Sequence, residues 1–253
     1  MTRRLAAICG ALLVASLLAS CKSSPAKDPL LNLSATESLV QGKQYLAKKK
    51  YSQARKYFTH AFEAEPNSSA GREGLLLAAD TLYLDGASTE LIQAEAKYRD
   101  FQNRFPTSDR AAYVQFQIAR SLAQRIERPD RDQSVAQKAL DAFRDLKRLY
   151  PTSEYAAQAD AEIRAVKQNL AEHEFIVGFF YLRYGLPMAS VNRFDYLLQQ
   201  YPEYQQRDKA LYWLGVAYER TRQPDQATAT FAKLRSEFPH SEFLKKVPQG
   251  KQG

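Results

Sequence analysis

The side chains that could do catalysis or hold a metal are few in this sequence, and their spacing does not bring them together. Its three histidines, His60, His173 and His240, are scattered, and none has a second ligand one helical turn away. His173-Glu174 opens like the H-E-x-x-H pair of a zinc hydrolase, but the place of the second histidine is taken by Val177. No G-x-S-x-G elbow, phosphate-binding loop or dinucleotide glycine pattern occurs. Carboxylate neighbours such as Glu172 and Glu174 lie in a helical stretch that implies no pocket. The expectation is a chain that is not an enzyme and needs neither metal nor cofactor.

Covalent chemistry is suggested at one residue, Cys21. Arg3 and Arg4 precede an uncharged apolar run over residues 5–18. That run is shorter than the ~20 residues a helix needs to span a bilayer, and it reads as the apolar region of an export signal. It ends in Leu18-Ala19-Ser20-Cys21, which resembles the lipobox of bacterial lipoproteins. Small residues there fit a peptidase, and the cysteine thiol takes a diacylglyceryl group. Residues 1–20 are therefore expected to be a signal peptide, with Cys21 the lipidated first residue of the mature chain. Cys9 leaves with the signal, so no cysteine remains for a disulfide or a metal. Lys22 follows where an aspartate would retain such lipoproteins in the inner membrane, which favours the outer membrane, with the domain facing the periplasm.

Charge argues against nucleic acid as a partner. The 36 basic and 28 acidic residues lose only Arg3 and Arg4 with the signal, leaving a formal charge of +6 with no basic run longer than Lys48-Lys49-Lys50. With 45% hydrophobic residues, including 15 Tyr and 13 Phe, the chain can build a substantial helical core.

The elements that must position any site show up as a repeat. Five prolines each stand 12 residues beyond a small residue: Ala54 and Pro66, Ala94 and Pro106, Ala139 and Pro151, Ser190 and Pro202, Ala227 and Pro239. Four residues after each small residue comes Phe58, Tyr98, Phe143, Phe194 or Phe231. That spacing puts the small residue and the ring on one helix face, and the proline ends the helix. Twelve residues upstream of three of the small residues stand Gly42, Gly178 and Gly215, each followed three residues later by Tyr45, Tyr181 or Tyr218. This pattern resembles the tetratricopeptide (TPR) repeat, complete in repeats one, four and five and confined to the second helix in repeats two and three. The first helices of those two, around residues 74–84 and 111–124, lie further upstream, so Gly86-Ala87-Ser88 and Arg128-Pro129-Asp130 are expected to be longer turns.

The spacing predicts an all-α, TPR-like solenoid of about five helix pairs. Residues 153–183 contain no proline and one glycine and are rich in alanine, which predicts one long connecting helix of about 46 Å. The expected organisation is a flexible tether over residues 21–33, an N-terminal half over 34–152 (repeats one to three), the long helix and C-terminal half over 153–244, and a disordered tail over 245–253. In repeat one, the helical count leaves Leu39, Lys43 and Leu46 on the groove side. An apolar stripe with one positive charge suits an extended apolar segment or a chain-end carboxylate, and it would equally serve to pack the next repeat. In repeat five, Tyr212 and Trp213 fall outside the core count and face the groove, a partner or the preceding repeat.

Further residues narrow the resemblance: Leu170-Ala171-Glu172-His173-Glu174-Phe175, Phe179-Phe180-Tyr181, Arg183-Tyr184-Gly185, Val191-Asn192-Arg193-Phe194 and Tyr201-Pro202, with Asp130-Arg131-Asp132 before the second helix of repeat three. These are similar to the BamD family of outer-membrane lipoproteins. Pro187 in the turn of repeat four, and Glu65 before the proline of repeat one, depart from the family pattern. The resemblance implies a non-catalytic scaffold that works with an Omp85-type barrel protein to insert unfolded outer-membrane proteins. It implies that the groove at Leu39, Lys43 and Leu46 holds substrate, and that the barrel partner docks on the C-terminal half at Arg193, Tyr212 and Trp213. A pilotin-type TPR lipoprotein for secretin or pilus assembly is the alternative, and would have spacings nearer 34 without a long helix. An envelope enzyme would need a catalytic pocket.

Overall fold

A computed structural model describes residues 29–248. The expected signal peptide over 1–20, Cys21 with most of the expected tether, and residues 249–253 of the expected tail lie outside the described residues. Among the described residues ten α-helices form five antiparallel pairs: α1 (Ala35–Ala47) with α2 (Tyr51–Ala64), α3 (Ser69–Asp85) with α4 (Ser88–Arg104), α5 (Ala111–Ala123) with α6 (Ser134–Leu149), α7 (Glu154–Arg183) with α8 (Pro187–Gln200), and α9 (Arg207–Arg220) with α10 (Pro224–Glu237). The fold is an all-α, TPR-like solenoid. Among the described residues, no helix is long and apolar enough to cross a membrane.

Caps and prolines set the helix ends. Ser34 and Glu37 form a reciprocal capping box on α1, with Ser34 Oγ accepting from Glu37 N and Glu37 Oε2 from Ser34 N, at 3.2 and 2.9 Å. Ser68 and Ser153 cap α3 and α7 in the simpler way. The five second helices all stop at the residue before proline, namely Glu65, Phe105, Tyr150, Tyr201 and Phe238. All five residues have φ between −142° and −126° and ψ between 56° and 73°. A following proline disfavours the helical region for its predecessor, so one residue type imposes one backbone ending five times.

The small residues and rings of the repeat are all at most 5% exposed. The upstream glycines complete the contact. A Cβ added at Gly42, Gly178 or Gly215 would come within 2.5, 2.9 or 2.4 Å of a ring carbon of Phe58, Phe194 or Phe231. The first helix thus lies directly on the ring of the second, at a distance only glycine permits. Seven residues beyond each glycine the turn between the paired helices passes through a left-handed residue: Lys49 (φ 55°), Gly185 (φ 76°) and Arg222 (φ 59°).

Repeats two and three depart from this plan in different ways. Gly86 and Ala87 alone join α3 to α4, so the expected longer turn is absent. The added residues lengthen both helices to 17 residues, because the segment is strongly helix-forming up to Gly86, whose φ of 77° ends α3. In repeat three the extra length is a real loop, residues 124–133. It folds back on the long helix: Asn169 Nδ2 donates to Glu127 O at 3.1 Å, and His173 Nδ1–H donates to Pro129 O at 2.7 Å.

Three expected boundaries move. Pro29–Asn32 form a 3-10 turn within the expected tether. Glu242–Lys246 form another, and Val247 is buried against Leu211, Ala227, Phe231 and Leu234, because the last helix pair would otherwise leave its apolar face uncovered. The division at 152/153 also shifts. Val166 and Leu170 of α7 belong to the core shared by α3–α6, whereas Ala171, Phe175 and Leu182 belong to that of α8 and α9. The 30-residue helix, about 45 Å long, is therefore shared between the halves.

Candidate functional site

Two regions carry the expected binding residues. In the N-terminal one, Leu39 is only 7% exposed and packs with Ala35, Ala54, Phe58 and Ala61. It is a core residue and cannot line a groove, because it lies on the same helix face as Ala35 and Gly42. Leu46 is half-buried against the same cluster. Lys43 is exposed, and its Nζ pairs with Glu73 Oε1 on α3 at 2.7 Å. An exposed pair of this kind adds little stability, so Lys43 remains available to another carboxylate.

Beside that pair opens a cleft of about 500 Å³. Its wall is α3, with Ser69, Arg72, Glu73, Leu76 and Leu77; Phe101 of α4 and the turn Ser108-Asp109-Arg110 complete it. Arg72 donates to Asn67 O at 3.0 Å and lies 5.9 Å from the Phe105 ring centroid, and Arg110 lies 5.4 Å from that of Tyr113. Both guanidinium groups are thus oriented by neighbours around a partly apolar floor. Such a cleft can take an extended segment through its side chains and a carboxylate through two arginines. Reading the sequence by repeat register missed Arg72 and Arg110. The available signal was the pair Gly71 and Gly74: a Cβ there would lie 2.0 Å from Glu65 O and 2.6 Å from Phe58 O, so α3 is pressed against the backbone of α2.

Behind this cleft lies a partly buried polar cluster. Tyr98 and Tyr113 both donate to Asp80 Oδ1, at 2.6 and 2.8 Å, and Gln117 Nε2 donates to the Tyr113 hydroxyl at 2.9 Å. Burial pushes the Asp80 carboxyl above its ordinary value, opposed by the two phenol hydrogen bonds and by the charge of Arg110. The cluster ties α3, α4 and α5 together.

In the C-terminal region, Arg193 Nη1 donates to Glu174 Oε2 at 2.9 Å, which orients the guanidinium across the α7–α8 interface. The Glu174 side chain is 12% exposed and that of Arg193 is 42% exposed, so one face of the arginine is free. The hydrogen bond to Glu174 holds the guanidinium pKa above its ordinary value. Trp213 packs edge-on against Phe179 of the preceding repeat, centroids 4.8 Å apart, and Tyr212 stacks on Phe243 at 5.4 Å. Arg193 and the Tyr212–Trp213 pair thus stand in separate contacts. The histidines are structural as well. Buried His60 shares a 2.9 Å hydrogen bond with Ser38, His173 holds the loop of repeat three, and His240 is exposed. Among the described residues no cluster of three His, Cys, Asp or Glu could hold a metal.

A family model described as "YfiO: Outer membrane lipoprotein" matches residues 32–234. The chain belongs to this family. Among relatives, the outer membrane protein assembly factor BamD of Rickettsia prowazekii is 29% identical over 241 residues, covering 95% of this chain and 94% of its own. The BamD of Caulobacter vibrioides is 27% identical over 231 residues, covering 90% and 75%. Among solved structures, the TPR2AB domain of yeast Sti1 is 14% identical with a TM-score of 0.44, covering 81% of this chain and 78% of that one, too slight a likeness to bear on function. The YfiO membership and the BamD relatives make this a non-enzymatic scaffold.

Proposed function

We propose that this protein is an outer-membrane protein assembly factor: a lipoprotein anchored through Cys21, facing the periplasm, that holds unfolded outer-membrane proteins and docks an Omp85-type barrel protein. The observation that carries this reading is the match to BamD relatives along nearly the whole chain. The cleft bounded by Arg72 and Arg110, next to the exposed Lys43, supplies a place for the substrate's chain end. Arg193, oriented by Glu174 and open on one side, supplies a bidentate donor for a partner carboxylate, a geometry lysine does not reproduce.

The substrate reading is tested on the mature chain with peptides ending in an aromatic residue. Arg72→Ala/Arg110→Ala should weaken binding of the free-acid peptide about tenfold and leave the C-terminal amide unchanged; equal binding of both peptides by both proteins would remove the cleft from the reading. The anchor is tested by Cys21→Ser, which should release the protein from the outer membrane in cells depleted of the barrel partner. For the partner, Arg193→Glu should weaken docking by about 2 to 5 kcal/mol. Arg193→Glu/Glu174→Arg restores the internal ion pair and should remain equally weak if the contact is with the partner.

A further inference from the structure

Repeats one, four and five contain the same helix-to-helix turn, with its left-handed residue at Lys49, Gly185 and Arg222, and so provide an internal control for what that turn needs. In repeat five the residues around it are Thr221, Gln223 and Asp225; in repeat one they are Lys48, Lys50 and Ser52. In repeat four the same places hold Tyr184, Leu186 and Met188, and each exposes more than half of its surface. Phe180, one turn earlier on α7, is also half-exposed, and its ring lies 4.4 Å from that of Tyr184. The turn geometry does not require these apolar side chains, since two sister turns form it with polar ones, and no core covers them. Four large apolar groups left in water around one turn cost solubility without adding stability, which marks an interaction surface.

Charge identifies the occupant. From Phe175 to Phe194 the sequence has no carboxylate and two arginines, Arg183 and Arg193. Arg220 joins them from α9, donating to Leu182 O at 2.8 Å from the end of the neighbouring helix. A second copy of this chain would set these arginines against their own counterparts. A bilayer lying along this edge would also have to accept exposed Asp225 of the adjacent turn, whereas a protein can cover the repeat-four turn alone.

We infer that the repeat-four turn is a docking knob: Phe180, Tyr184, Leu186 and Met188 enter an apolar recess, rimmed by carboxylates, on a folded partner protein. This rests on the reading that a partner docks through Arg193 and extends that contact to an apolar centre with an arginine rim. The test grafts the repeat-five residues into repeat four, Tyr184→Thr/Leu186→Gln/Met188→Asp, with Leu186→Gln alone as a milder variant. The probe is the purified periplasmic segment of the organism's own Omp85-type barrel protein, with the mature, correctly folded chain as its ligand. The graft should weaken binding at least tenfold and Leu186→Gln about threefold, with melting temperatures unchanged. Undiminished binding by the graft while Arg193→Glu loses it would overturn the knob and leave the docking reading standing. Absence of binding by the unaltered chain would overturn both. A graft that lost affinity only for phosphatidylglycerol vesicles, or only a concentration-dependent self-association, would also overturn the proposal.

Discussion

Repeats four and two solve the same packing problem with different chemistry. In repeat four, Phe194 fills the space left by Gly178, and the contact is wholly apolar. In repeat two the equivalent ring is Tyr98, fully buried, and its hydroxyl reaches Asp80, which also accepts from Tyr113 of the next repeat. The apolar solution is local to one helix pair and demands a glycine. The polar solution needs no glycine, spans three helices and depends on every donor finding its acceptor. The glycine–ring contact is therefore confined to the three pairs that carry the glycine, and repeat two, without it, is held in place by its neighbours.

The largest expected effect comes from breaking the polar solution. Asp80→Ala strands the buried Tyr98 hydroxyl and the half-buried Tyr113 hydroxyl and should cost about 3 kcal/mol in urea unfolding of residues 21–253, followed by far-UV circular dichroism. A loss below about 1 kcal/mol would show that water replaces the carboxylate. The apolar solution should be graded by distance. Gly215→Ala, whose new methyl meets Phe231 at 2.4 Å, should cost about 2 kcal/mol, and Gly178→Ala, at 2.9 Å, about 1 kcal/mol. The reverse order would mean that α9 yields more easily than α7. Gly185→Ala isolates the turn, because nothing lies within 4 Å of its added Cβ, and should cost about 1 kcal/mol through backbone strain alone.

The smallest effect is on pH dependence. Burial raises the folded pKa of Asp80 above its ordinary 3.8, so the folded state holds the proton more tightly than the unfolded one. Stability should then fall as pH rises from the ordinary value through the raised one, and be recovered on acidification across that window. Asp80→Asn should flatten this part of the stability profile, measured by urea midpoints at closely spaced pH values. An unchanged slope would assign the dependence to Asp195, whose carboxyl burial also raises.

What could be read from the sequence followed from covalent and steric constraints that act locally. Proline ends a helix wherever it falls, and a glycine, a small residue and a ring at fixed offsets meet whenever two helices pair, so the five pairs and the uninterrupted α7 were legible. Leu39 was misplaced because helical periodicity gives a face but not the width of the face a neighbour covers. Lys49 and Arg222 gave no warning of their positive φ, since only a glycine such as Gly185 marks that conformation by its type. The clamp of the repeat-three loop by Asn169 and His173 joins residues more than 40 positions apart, and the cleft at Arg72 and Arg110 depends on how successive pairs rotate. Spacing along one chain does not encode either.

The shared helix α7 also bears on the order in which the chain becomes folded when its N-terminal part becomes available first, as in synthesis. The core of α3–α6 includes Val166 and Leu170, so it cannot close until the first half of α7 has been delivered. Once it closes, that half is already wound, and the residues from Ala171 to Leu182 continue an existing helix instead of nucleating a new one. The C-terminal half is thus grown from a seed that the N-terminal half has set. A stalled chain ending near residue 170 would have a complete first core and a helix stub with nothing yet to hold.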